Sequence, residues 1–170
     1  MCGSKDQTAS TSVWKTTSNG TIQKDAKAQP VVLSGADVDA LPMDSFADDK
    51  SRATGGWQQI FNAPDTPTNE LDIGLARFPP RKPGHESFEA LHRHKQAEFY
   101  YLLEGECVVR IDGVKYACKP GHSLFIPGDA EHGFWNTSEE KELVFLWGFA
   151  ADGFQEIVYR FSEKLAPFED

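Results

Sequence analysis

From residue 57 to residue 161 the chain is a succession of short apolar or alternating runs, none longer than eight residues, separated by Gly, Pro and Asp. Runs of that length suit strands rather than helices, and their spacing is that of an all-β domain. Strands are expected at 57–62, 71–78, 88–94, 98–104, 106–111, 114–119, 122–126, 132–136, 143–149 and 154–161. No long helical period competes with them, and no internal repeat is visible.

One turn sets a register. In Ile111-Asp112-Gly113-Val114, Asp-Gly stands between two apolar runs and supplies the positive φ angles of a two-residue hairpin. Pairing outward sets Ile111 opposite Val114, Val109 opposite Tyr116 and Cys107 opposite Cys118, with Arg110/Lys115 and Glu106/Lys119 on the other face. The first face is apolar and expected to point inward, so both hairpin cysteines are expected as buried, reduced thiols.

Residues 1–30 are rich in Ser, Thr, Lys, Gln and Asp, a composition that cannot offset the entropy of ordering, and are expected as a flexible polar tail. Residues 31–56 are expected as an arm packing on the domain at 57–165, with Ser34 or Asp37 capping a brief helix. A chain of 170 residues suffices for one domain with its own core. Seventeen basic against twenty-six acidic residues give a net charge of −9 without any Lys/Arg cluster, which argues against nucleic acid and anionic membrane as partners. No run reaches the roughly eighteen apolar residues of a membrane helix. The polar start Met1-Cys2-Gly3 lacks a hydrophobic signal core, and Cys2 stands where myristoylation needs glycine. A soluble, cytoplasmic protein is expected.

His92 and His94 alternate on one strand face, and a carboxylate, Glu98, follows four residues after His94. His132 lies on a distant run, so a fourth ligand is available from elsewhere in the fold. Three imidazoles and a carboxylate suit a divalent transition-metal ion, and Fe, Mn, Co, Ni, Cu and Zn all fit that set. His85 and His122 follow turn residues and are expected to be exposed. Tyr100 shares the strand face of Glu98 by the period of two. It reads either as a general base whose ionisation a nearby cation favours, or as a core aromatic with one hydrogen bond. Arg77 is a weaker candidate, for a substrate carboxylate.

Residues 92–105 and 121–136 resemble the two motifs of the cupin superfamily, G-x5-H-x-H-x3,4-E-x6-G and G-x5-P-x-G-x2-H-x3-N. The matching residues are His92, His94, Glu98 and Gly105, then Gly121, Pro127, His132 and Asn136. Gly84 lies two residues too early for the first glycine, and Asp129 stands where a glycine is usual; neither departure touches a ligand. The resemblance implies an RmlC-like jelly-roll β-barrel, one metal ion on His92, His94, Glu98 and His132, a small-molecule substrate and a homodimer joined through the arm. The Glu-x-Tyr within the first motif resembles the cupin lyases that cleave dimethylsulfoniopropionate, which implies that Tyr100 is the base of a β-elimination. A lyase or isomerase using Tyr100, a metal dioxygenase and a non-catalytic binder of small molecules all remain open at this point.

Overall fold

The computed structural model describes residues 14–16, 22–24, 29–46, 49–63, 65–68 and 70–162. A short pair, β1 (Trp14–Thr16) and β2 (Ile22–Lys24), lies within the segment read as a tail; the rest of residues 1–28 is outside the described residues. The arm holds one helix, α1 (Gly35–Asp39). Ser34 caps it, its Oγ accepting from the Asp37 amide at 3.2 Å while Asp37 Oδ2 accepts from the Ser34 amide at 2.8 Å.

The strands that follow are β3 (Gly56–Phe61), β4 (Asp72–Phe78), β5 (Phe88–Arg93), β6 (Glu98–Glu104), β7 (Cys107–Ile111), β8 (Val114–Cys118), β9 (Ser123–Ile126), β10 (His132–Asn136), β11 (Leu143–Phe149) and β12 (Arg160–Phe161). They form two five-stranded antiparallel sheets, β3-β4-β11-β6-β9 and β12-β5-β10-β7-β8. Leu143, Phe145, Trp147 and Phe149 alternate to the inner face of β11, and each is 3% exposed or less. They meet inner residues of the other sheet such as Val109 and Phe134 in one core. Phe134 is edge-on to both Phe145, at 5.0 Å, and Phe78, at 4.6 Å.

The β7–β8 hairpin has the expected register, and its turn places Asp112 at φ 45° and Gly113 at φ 84°. Its apolar face is inward only in part. β8 is the edge of its sheet, so Val114 and Tyr116 are exposed while Cys107, Val109 and Cys118 are buried. The run at 154–161 is a strand only at its end, as β12. Phe154–Glu156 form a 3₁₀ turn, and pairing is limited to Arg160 with Arg93 and Phe161 with His92. Phe154, Ile157 and Tyr159 pack side chains into the core instead of joining a ladder.

The arm lies along β3. Asp44 and Trp57 exchange backbone bonds of 2.8 and 2.9 Å, and Gln58 Nε2 donates to the Val38 and Leu41 carbonyls at 3.0 Å each. No helix among the described residues is long and apolar enough to cross a membrane.

Candidate metal centre

His92 on β5 stands directly opposite His132 on β10, and His94 follows just past the end of β5. Glu98 opens β6 in the facing sheet. The four side chains meet inside the barrel, where none is more than 4% exposed. The ring centroid of His132 lies 4.2 Å from that of His92 and 4.9 Å from that of His94.

Each imidazole is oriented from behind by a backbone carbonyl. The Nδ1 atoms of His92, His94 and His132 lie 2.8, 2.9 and 2.9 Å from the carbonyls of Ala90, Gln96 and Ala130. A proton on each Nδ1 leaves each Nε2 with its lone pair turned inward. The Nε2 atoms of His132 and His94 are 3.1 and 3.3 Å from Glu98 Oε2, and Nε2 of His92 is buried without a hydrogen-bond partner. Acceptors facing one another in a dry interior repel unless a cation lies between them. The donor set therefore fits a divalent ion, with the ligand atoms of the three histidines within 4.8 Å of one another.

The charge state agrees. Burial first, and the neighbouring His132 second, lower the His92 pKa to about 3, so that ring is neutral.

A cavity leads away from Glu98. Among the described residues its lining includes seven aromatic side chains, and its only charged groups are the carboxyls of Glu98 and Glu89. Tyr100 lies on the inner face of β6 beside Glu98, with its ring centroid 6.5 Å from that of His132. Burial chiefly, then the charges of Glu98 and Glu89, hold its phenol well above the ordinary range.

Several lining residues were not found by sequence reasoning. Tyr159 places its ring 4.7 Å from His92, and Trp57 and Phe154 stack at 4.9 Å. They come from the two ends of the barrel's sequence, Trp57 from β3 and Phe154 and Tyr159 from the last run, so their approach is a product of the fold. Arg77 does not reach the cavity. It lies on the outer face of β4, ion-paired with Asp39 at 3.1 Å and Glu142 at 3.5 Å. Both His85 and His122 are exposed.

A two-sheet β-barrel with three inward imidazoles and a carboxylate defines a jelly-roll domain whose buried histidines are suited to a metal ion. The Cupin domain family matches residues 81–149, the segment that carries all four of these side chains. It is 40% identical over 106 residues to dimethylsulfoniopropionate lyase DddW of Ruegeria pomeroyi, covering 62% of this chain and 65% of that protein, just under two thirds of its length. The polyketide cyclase RemF from Streptomyces resistomycificus superposes with a TM-score of 0.59 over 80% of this chain and 89% of its own, at 16% identity. An RmlC-like cupin from Shewanella frigidimarina gives 0.53 over 69% of this chain and 89% of its own, at 19% identity. At such identities the two structures establish the fold alone.

Proposed function

We propose that the protein is a metal-dependent lyase that removes a β-substituent from a small carboxylate, with dimethylsulfoniopropionate as the substrate to test first. The observation that carries this reading is the placement of Tyr100 and Glu98 on one strand face, both lining one aromatic cavity. His92, His94, Glu98 and His132 would hold the ion. Bound there, a divalent cation would supply positive charge that anchors the substrate carboxylate and acidifies the adjacent C–H.

Tyr100 Oη, as phenolate, takes the proton from the carbon next to the carboxylate. The released electron pair forms the C=C bond, and the β-substituent leaves with the electrons of its own bond. From dimethylsulfoniopropionate the products are acrylate, dimethyl sulfide and one proton. With burial first, then Glu98 and Glu89, raising the phenol, positive charge in the cavity is the condition for its ionisation. The surrounding aromatic rings exclude water, which strengthens those interactions.

The test is anaerobic incubation of metal-loaded protein with dimethylsulfoniopropionate, measuring dimethyl sulfide and acrylate in equal amounts. Tyr100→Phe is expected to keep the metal and lose a factor of about 10²–10⁴ in rate. Near-normal turnover in that variant at full metal occupancy would remove Tyr100 from the chemistry. A requirement for dioxygen would replace elimination by oxidation at the same ion.

A further inference from the structure

Strict alternation back from His94 and His92 puts Glu89 on the outer face of β5, with Leu91 and Arg93. The structure places it inside. His92 pairs with His132 but Glu89 pairs with Phe134, so Ala90 and Leu91 together oppose the single residue Gly133. This is a β-bulge, one extra residue that re-aims everything before it. Phe134 is an inner residue, 0% exposed, and Glu89 opposite it shares that face and lines the cavity with Glu98 and Tyr100.

The bulge is pinned on both sides. The Ala90 amide donates to the Arg52 carbonyl at 2.7 Å, and the Thr54 amide donates to the Phe88 carbonyl at 3.0 Å. On the other side a Cβ at position 133 would lie 2.7 Å from the Glu89 carbonyl oxygen and 3.0 Å from the Leu91 nitrogen, so only glycine leaves room there.

The Glu89 backbone pairs with Ala53 and Phe134, but its carboxyl has no side-chain hydrogen-bond partner, and no lysine or arginine lines the cavity, among the described residues. Burial first, and the Glu98 charge second, hold its carboxyl well above the ordinary range, as expected for an acid without a counter-charge. The cavity that it lines is also lined by electron-rich rings, Trp57, Tyr159 and Phe154 among them. An unpaired carboxyl among aromatic faces suits a cation too bulky and too weakly hydrated to need hydrogen bonds.

We infer that Glu89 is a specificity-determining residue, placed by the β5 bulge to bind the cationic end of an onium carboxylate whose other end is anchored at the metal centre. The inference rests on the proposed reading in that it places the substrate carboxylate at that centre. It adds the requirement that the β-substituent be positively charged, with Glu89 and the rings as its recognition site.

Two ligands of one shape test it. They are 3-(trimethylammonio)propionate, whose amine is a poor leaving group, and 4,4-dimethylpentanoate, in which carbon replaces the cationic nitrogen. Calorimetric titration into metal-loaded protein is expected to show the cationic ligand bound about tenfold or more tightly than the neutral one. Glu89→Gln should reduce that preference to about threefold or less, leaving the affinity for 4,4-dimethylpentanoate unchanged, while Glu89→Asp keeps the preference. Equal affinities in the wild type, an unaltered preference in Glu89→Gln, parallel loss of both ligands, or an Asp variant that behaves like Gln would each overturn the inference. Because the readout is binding, a protein that discriminates through Glu89 without eliminating anything would refute the lyase reading alone. Elimination with a preference indifferent to Glu89 would refute this inference alone.

Discussion

Asp72, the first residue of β4, is fully buried, and neither carboxylate oxygen has a hydrogen-bond partner among the described residues. Burial chiefly, then the nearby Glu156 charge, raise its pKa to about 7. An acid whose folded pKa exceeds its unfolded one costs no stability while both states are protonated. The cost grows as pH rises from about 4, where the unfolded chain ionises, to the folded value, and is constant above it. Asp72→Asn is therefore expected to raise the unfolding free energy at pH 8, by at most about 4 kcal/mol, since each pKa unit is worth about 1.4 kcal/mol. The gain should vanish below pH of about 4, and denaturant melts at both pH values check it. A constant difference at both would assign the effect to packing. Asp129 shows which single residues were legible beforehand. It occupies the position where the motif has glycine and adopts φ 65°, a conformation that Asp tolerates better than most residues. The Asp129 amide donates to the His94 carbonyl at 2.8 Å, and its carbonyl accepts from Arg93 at 2.8 Å. The departure from the motif thus leaves the loop beside His94 intact. The metal-type residues could be read because their chemistry is written in their identity and spacing, whereas Asp72 reads as an ordinary polar strand start.

At the level of strands and turns, the hairpin was readable because Asp-Gly constrains its own φ angles without outside help. Cys107 and Cys118 follow as cross-strand partners, and both thiols are free. A two-residue turn makes theirs a hydrogen-bonded pair, a geometry ill suited to a disulfide. Hydrogen bonding from Cys107, helped by His122, lowers the Cys118 thiol to about 6, while the same contact and burial raise Cys107. Titration of the unfolded chain with a thiol reagent is expected to find three free groups, the third being Cys2; a single free group would mean that the hairpin pair is oxidised. Two features of this scale were not readable. A bulge changes the parity of a strand without changing its composition, and its only trace, Gly133, lies on another strand. The segment 154–161 has an apolar pattern but too little free sheet edge, since β5 offers it only His92 and Arg93. Its side chains therefore serve as a lid on the core rather than as a ladder.

Across the whole molecule, the proposed ligands join the two sheets, with His92 and His132 in one and Glu98 in the other. An ion bound by the folded barrel and not by the unfolded chain adds stability by mass action, about 3 kcal/mol at a hundredfold excess over its dissociation constant. Dialysis against a chelator is expected to lower the melting temperature by roughly 5–15 °C, and reloading should restore it. His132→Ala should melt at the lower temperature with or without chelator. A melting temperature indifferent to chelation in the wild type would count against the site.

The same spacing of ligands governs when an ion can arrive. His92, His94 and Glu98 lie within seven residues of one another, but His132 joins them only after β10 has paired between β5 and β7. The tyrosine that covers His92 arrives later still along the chain, at residue 159. A nascent chain thus offers an incomplete set of donors, and the complete set exists only behind an aromatic wall. On the proposed ligand set, loading would belong to the finished barrel, and an ion would have to pass that wall to reach its donors.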